Sequence, residues 1–261
     1  MISNPAMIEL GQGASSRQIA WRHQAGRGPD VVWLGGFRSD MQATKATHLA
    51  EWGAQHHRAV TRFDYSGHGE SGGRFEDATI GQWLDDALAV IAEGVKTPPI
   101  LVGSSMGGWI ALLAAQRLTG TPLAPAGLVL IAPAADFTER LMWDQFPEAV
   151  KREVLEKGAW MRPSAYSPEP YPITRALIEE GRNHLLLGGM VKTGCPVHIL
   201  QGMEDPDVPW QHAMTLVERL AEDDVTVTLI KDGDHRLSRP QDLEKLTEAV
   251  EGIAPKSQLL L

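Results

Sequence analysis

Short apolar runs recur along the chain, and amphipathic stretches fill the intervals between them. Val31-Val32-Trp33-Leu34 is a run of strand-forming residues that ends on the paired Gly35-Gly36. Arg58–Asp64, Ile100–Val102, Gly127–Ala132, Pro196–Leu200 and Val225–Ile230 read as further strands, and Gln18–Gln24 alternates weakly, as an early edge strand would. Between them, Ser39 to Gln55, Thr79 to Val95, Trp109 to Ala115, Trp210 to Ala221 and Gln241 to Gly252 read as helices. In the second of these, Ile80, Trp83, Leu84, Ala87, Leu88 and Ile91 recur at three- and four-residue spacings and so share one helical face. Strands separated by helices imply parallel pairing in a sheet covered on both sides. The rhythm stops between Pro133 and Gly194. Helices are predicted there near Phe137–Trp143, Pro147–Lys157 and Thr174–Leu187, around the proline-rich stretch Pro163–Pro172. A plain connection in a compact domain is much shorter than this, so the stretch predicts a helical lid inserted into the core. The expected organisation is core over residues 1–132, lid over 133–194 and core again over 195–261.

One junction carries a recognisable chemistry. Ile100-Leu101-Val102 runs into Gly103-Ser104-Ser105-Met106-Gly107, and a helical stretch follows at once. A serine on such a strand-to-helix corner stands clear of the sheet edge, with close neighbours that require glycine on both sides. The helix start below it offers unpaired N–H groups to a developing anion. The same G-x-S-x-G spacing occurs at Gly69-Glu70-Ser71-Gly72-Gly73, but no apolar strand directly precedes that copy and the polar Arg74-Phe75-Glu76-Asp77 follows it. Context selects Ser105 as the nucleophile and leaves Ser71 as a loop serine.

An unactivated serine is a poor nucleophile, so a base and a group to orient that base are needed. In open α/β sheets such groups lie just beyond the carboxyl ends of strands. His235 follows the last strand in Lys231-Asp232-Gly233-Asp234-His235, and the strand before it is followed by Glu204, Asp205 and Asp207. The order serine, acid, histidine and the elbow together resemble the α/β-hydrolases over essentially the whole chain. That resemblance implies a mostly parallel sheet with helices on both faces and a lid. Its Gly-x-x-Asp-x-x-Val-Pro stretch matches Gly202–Pro209 and implies Asp205 as the acid, with Asp207 as a turn or helix-capping carboxylate. It also implies an oxyanion hole made by the backbone N–H groups of Met106 and of Phe37, after Gly35-Gly36. The stretches Gly35–Met41, Arg62–Gly67, Tyr171–Gly181 and Met203–Trp210 more narrowly resemble the mitochondrial palmitoyl-protein thioesterase and acyl-glucuronide esterase branch and its bacterial relatives.

The expected function is a serine hydrolase of carboxylic esters or thioesters with medium or long acyl chains, on a small-molecule or acylated-protein substrate. The alternatives are a peptidase of the same fold and a non-catalytic, hydrolase-like binding protein. Lid aromatics such as Trp160 and Tyr166 are candidates for an acyl pocket, alongside the plainer reading that they pack the lid onto the core. No metal or organic cofactor is called for: His56-His57 has no further ligands suitably spaced, and Gly67-His68-Gly69 lacks the rest of a phosphate-binding fingerprint.

Composition narrows the partners. At 261 residues and 43% hydrophobic, the chain can bury a full α/β core. A net charge of −9 argues against nucleic acid, and no apolar run approaches the length of a membrane span. The single Cys195 cannot form an internal disulfide, and the opening Met1–Pro5 carries neither signal-peptide nor transit-peptide character. The location expected on those grounds is cytoplasmic.

Overall fold

Val31, Trp33, Ile100 and Val102 point into one apolar layer, whereas Val32, Leu34 and Leu101 point into another. Consecutive residues are thus buried on opposite sides of one sheet, which is why these strands read as continuous apolar runs. The computed structural model describes residues 4–13, 16–163 and 168–253. In chain order its strands are β1 (Ala6–Leu10), β2 (Arg17–Gln24), β3 (Arg27–Leu34), β4 (Arg58–Phe63), β5 (Ile100–Ser104), β6 (Gly127–Ile131), β7 (Ala159–Arg162), β8 (Tyr171–Thr174), β9 (Val197–Gly202) and β10 (Val225–Ile230). The helices are α1 (Thr44–Gln55), α2 (Ile80–Gly94), α3 (Met106–Leu118), α4 (Glu148–Lys157), α5 (Arg175–Gly181), α6 (Trp210–Arg219) and α7 (Pro240–Ile253).

Eight strands form one sheet in the order β1-β2-β4-β3-β5-β6-β9-β10. Pairing is antiparallel at β1–β2 and β2–β4 and parallel from β4 to β10. Helices α1 and α7 bury Ala46, Leu49, Leu246 and Val250 against one face, and α2, α3 and α6 cover the other. β5 lies in the middle, with every residue buried, and delivers the chain into α3, whose Met106–Ala115 stretch is buried throughout. No helix among the described residues is long and apolar enough to cross a membrane.

Helix α2 starts where its sequence says it should. Thr79 is extended, and its hydroxyl accepts the Gln82 N–H at 3.3 Å. Thr79→Ala is expected to cost about 1 kcal/mol, read as a lower urea midpoint with an unchanged m-value.

Two features depart from the expectation. β1 is absent from the expected elements, because its inward apolar alternation is limited to the half-buried Ile8 and Leu10, too short a pattern to mark a strand. The stretch 133–194 is not helical throughout. Phe137–Trp143 gives a π turn over Thr138–Met142 with a 3₁₀ turn behind it, and the predicted Thr174–Leu187 helix stops as α5 at Gly181. Ala159–Arg162 and Tyr171–Thr174 form an antiparallel hairpin. Its strands are only four residues long, and Pro172 is tolerated because this two-stranded sheet consists of edges alone.

Candidate active site

The β5-to-α3 corner holds Ser105 at φ 55° and ψ −117°, a conformation that L-residues rarely adopt. The corner is tight because β3 runs close beneath it. A Cβ on Gly107 would lie 2.0 Å from the Leu34 carbonyl oxygen, so glycine is required there. The Ser105 N–H donates to the Ile131 carbonyl at 2.8 Å, and the Ser105 carbonyl accepts from Gly108 at 2.9 Å and Ala134 at 3.1 Å. Backbone bonds therefore brace the strained residue from β6 and from α3.

His235 Nε2 lies 3.1 Å from Ser105 Oγ, and its Nδ1 lies 2.8 Å from Asp205 Oδ2. The Asp205 side chain is fully buried, and its Oδ1 accepts the N–H groups of Asp207 at 2.9 Å and Val208 at 2.8 Å. These bonds fix the carboxylate, and the His235 Nδ1–H donates to its remaining oxygen. The acid and histidine loops touch directly. A Cβ on Gly202 would come within 2.4 Å of the Gly233 carbonyl oxygen, and Glu204 N–H donates to that same oxygen at 2.9 Å.

Of the two roles expected for Asp207, turn or helix-capping carboxylate, the cap is not made. Pro209 occupies the N-cap of α6 without a side-chain bond, and Asp207 is exposed at the cavity wall. Asp205, Asp207 and His235 could in principle offer three ligand atoms within 4.8 Å of one another. A cation there would have to compete with the backbone donors and the His235 proton already committed to Asp205. His56 stacks on Trp52 and lies 2.9 Å from the Trp52 carbonyl through Nδ1, a helix-end contact.

Phe37 and Met106 both line the cavity above Ser105. Met106 opens α3, where helix geometry leaves the N–H without an intrahelical acceptor. Gly36 brings the other loop in: a Cβ there would sit 3.5 Å from Ser105 Cβ. The cavity has a volume of about 540 Å³. Phe137, Leu141, Met142 and Tyr171 form an apolar side that comes from the stretch after β6. Arg38, Lys45, Arg162 and Arg236 share the wall with Asp207, so its charged side is mainly cationic on a chain of net charge −9.

Trp160 is not among the lining residues; it packs edge-on against Phe146 at 5.2 Å. The packing reading fits it, and Tyr171 stands on the wall instead. Tyr166 lies outside the described residues. Ser71 Oγ donates to the Asp64 carbonyl at 2.6 Å and accepts the Ala20 N–H at 2.8 Å, the bonds of a loop tie. Burial pushes the Cys195 thiol up to about 11, so it is a poor nucleophile.

Two supporting residues carried no signal in the sequence. Gln201, fully buried on β9, donates through Nε2 to the carbonyls of Gly202 and Val208, both at 3.0 Å, and to Asp205 Oδ2 at 3.4 Å. Lys45, on α1, donates through Nζ to the carbonyl of Arg236, the residue after His235. Burial lowers the Lys45 pKa to about 8.

The profile of the alpha/beta hydrolase family matches residues 28–246. The chain is 37% identical over 239 residues to the palmitoyl-protein thioesterase ABHD10, mitochondrial, of Homo sapiens, covering 91% of this chain and 77% of that protein. A crystal structure from Agrobacterium vitis S4, described as a hydrolase, superposes with a TM-score of 0.93 at 49% identity and covers 96% of this chain and 98% of its own. Alpha/beta hydrolase domain-containing protein 10 from mouse superposes with a TM-score of 0.84 at 33% identity, over 95% and 98% of the two chains. The mitochondrial relatives overturn the cytoplasmic expectation. A lone reduced cysteine suits any reducing compartment, so it does not separate cytosol from mitochondrial matrix. A strained strand-to-helix corner at Ser105, a family profile spanning residues 28–246 and relatives matched along nine-tenths of the sequence agree: the chain belongs to the alpha/beta hydrolase family.

Proposed function

We propose that the protein hydrolyses carboxylic esters or thioesters of medium or long acyl chains through an acyl-enzyme on Ser105. The observation that carries this reading is the hydrogen-bonded chain from Ser105 Oγ through His235 to Asp205, at 3.1 and 2.8 Å, opening into the cavity. Ser105 Oγ attacks the carbonyl carbon while His235 Nε2 takes its proton, and Asp205 holds the imidazole in the tautomer that accepts there. The N–H groups of Phe37 and Met106 receive the oxyanion; as backbone donors they need no reorganisation when charge develops. His235 then protonates the departing alcohol or thiol, and water repeats the sequence on the acyl-enzyme.

Residues 133–194 serve as a lid between the core stretches 1–132 and 195–261 and hold the acyl chain along Phe137, Leu141, Met142 and Tyr171. The cationic wall suits a polar or anionic leaving group. The test is a rate panel of matched oxygen esters and thioesters from acetyl to palmitoyl, with an acyl glucuronide included. Each CH₂ buried in the lid is worth about 0.8 kcal/mol, about a fourfold gain in kcat/KM per methylene until the cavity is filled. Tyr171→Ala is expected to cost long chains more than acetyl, and Trp160→Ala to cost all lengths alike. A flat chain-length profile for the wild type would remove the acyl-pocket reading.

A further inference from the structure

We propose that His68 is a positioning residue for the acyl-transfer site, its Nε2 accepting the Arg38 N–H and so holding the loop that presents the Phe37 amide. The inference rests on the oxyanion role proposed for that amide.

The loop is a turn that needs holding. Ser39 N–H donates to the Gly36 carbonyl at 3.0 Å, closing a four-residue turn with Phe37 and Arg38 at its centre. Arg38 has φ 59°, and Phe37 is not among the residues with positive φ. This is the signature of a type II turn, whose third position favours glycine or asparagine, and here an arginine occupies it. In the commoner type I turn, the peptide between the two central residues is rotated by roughly half a turn, and the third residue has negative φ. The direction of the Arg38 N–H therefore distinguishes the two forms. In the observed form it points to His68 Nε2, at 3.1 Å.

The ring is fixed as an acceptor at that position. Its Nδ1 lies 3.1 Å from the Ser66 carbonyl, which can only accept, so Nδ1 carries the proton and Nε2 is left with a lone pair. An imidazolium would set an Nε2–H against the Arg38 N–H. Burial is the main reason that the His68 pKa is lowered to about 4; the Ser66 carbonyl opposes this, and the Arg38 charge adds to it. The neutral form is thus held throughout the range in which an ordinary imidazole titrates.

The surroundings of the ring are ordered in turn. Phe75, Trp83 and Tyr65 contact it edge-on at 5.3, 5.4 and 5.9 Å. Arg38 and Asp40 are the charged groups facing it from the oxyanion loop. Ser66 donates its N–H to Asp86 at 2.8 Å, its hydroxyl donates to the same oxygen, and Asp86 pairs with Arg17 at 2.7 Å. The far end of the oxyanion loop is held from the same side, by Asp64 accepting the Met41 N–H at 2.6 Å. The stretch from Asp64 to His68 thus acts as a template for the loop from Gly36 to Met41, and His68 is its contact nearest the Phe37 amide.

The test compares His68→Phe, which keeps a ring against Phe75 and Trp83 but has no acceptor, with His68→Gln, whose amide oxygen can reach the Nε2 position. Measured are kcat and KM on one ester, the melting temperature, and inhibition by a boronic acid whose tetrahedral adduct on serine carries the negative charge. Removing an oxyanion donor outright costs about 10²–10³ in kcat, so misplacing one should cost roughly 10- to 100-fold. The expected result for His68→Phe is that loss in kcat, KM within about twofold, and a parallel loss of boronate affinity, with most of both recovered in His68→Gln. If His68→Phe does not fold, His68→Met takes its place. A folded Phe or Met variant with wild-type kcat and boronate affinity overturns the inference, as does a Gln variant no better than either. Full activity in Ser105→Ala would instead overturn the acyl-enzyme reading itself.

Discussion

Ser105→Ala is expected to lower hydrolysis by roughly 10⁴- to 10⁶-fold, whereas Ser71→Ala stays within a few-fold of wild type. The two serines share the G-x-S-x-G spacing, so the contrast isolates position. Ser105 sits at positive φ on the corner between β5 and α3, with His235 Nε2 at 3.1 Å and the cavity above it. The Ser71 hydroxyl is committed on both sides, to the Asp64 carbonyl and from the Ala20 N–H. Losing those bonds should cost about 1 kcal/mol of stability and leave the chemistry in place. Any activity left in Ser105→Ala would come from substrate held at the oxyanion donors and attacked by water. Steady-state rates, with mass-spectrometric location of a fluorophosphonate label, decide the matter. A label on Ser71 with Ser105 untouched would reverse the assignment.

The parts of this fold that could be read from the sequence are those where burial acts on every residue of a short stretch. β5 and β6 are buried at all five positions, so their apolar runs have one structural meaning. Once those strands are placed, the rule that sites lie past strand ends leads to Ser105, to His235 and to the group Glu204, Asp205 and Asp207, among which the family resemblance selects Asp205. Partial burial removes that signal. β1 and the β7–β8 hairpin are exposed or half-buried at most positions, and strands of four or five residues carry too short an apolar pattern to stand apart from loops. The division between lining and packing aromatics was hidden for a different reason. Trp160 and Tyr171 lie two pairs apart on one hairpin and so share a face, yet one packs on Phe146 and the other stands on the cavity wall; which of them reaches the cavity depends on how the hairpin docks. Gln201, Lys45 and His68 support the site through bonds to backbone carbonyls or N–H groups from other loops. Such bonds depend on tertiary approach and have no spacing to betray them.

Asp205→Asn should lower turnover by about 10⁴-fold while Asp207→Asn runs within a few-fold of wild type. The two carboxylates are two residues apart but have opposite surroundings. Asp205 is buried and receives donors at both oxygens: the Asp207 and Val208 N–H groups at Oδ1, and His235 Nδ1 with a weaker contribution from Gln201 at Oδ2. An asparagine can satisfy only one of these sides. With its oxygen toward the backbone, its NH₂ faces His235 and selects the tautomer whose Nε2 carries a proton, which cannot accept from Ser105. With its oxygen toward His235, its NH₂ faces two backbone N–H groups, and the loop carrying the acid must shift. The first arrangement loses the base and the second loses the geometry, so both lower kcat. A buried donor left without a partner should also cost about 1–3 kcal/mol of stability. Asp207 is exposed, and its contribution to the acid is its backbone N–H, which asparagine keeps. Because Pro209 and not Asp207 occupies the α6 N-cap, Asp207→Asn should not carry the roughly 1 kcal/mol cost of a lost helix cap. Both variants are best compared near pH 8, where an ordinary imidazole is neutral, so that lost orientation is read apart from altered protonation. A crippled Asp207→Asn beside a nearly normal Asp205→Asn would move the acid by two residues and leave the serine mechanism standing. Full activity in both would break the chain from Ser105 through His235 to a carboxylate, and the acyl-enzyme reading with it.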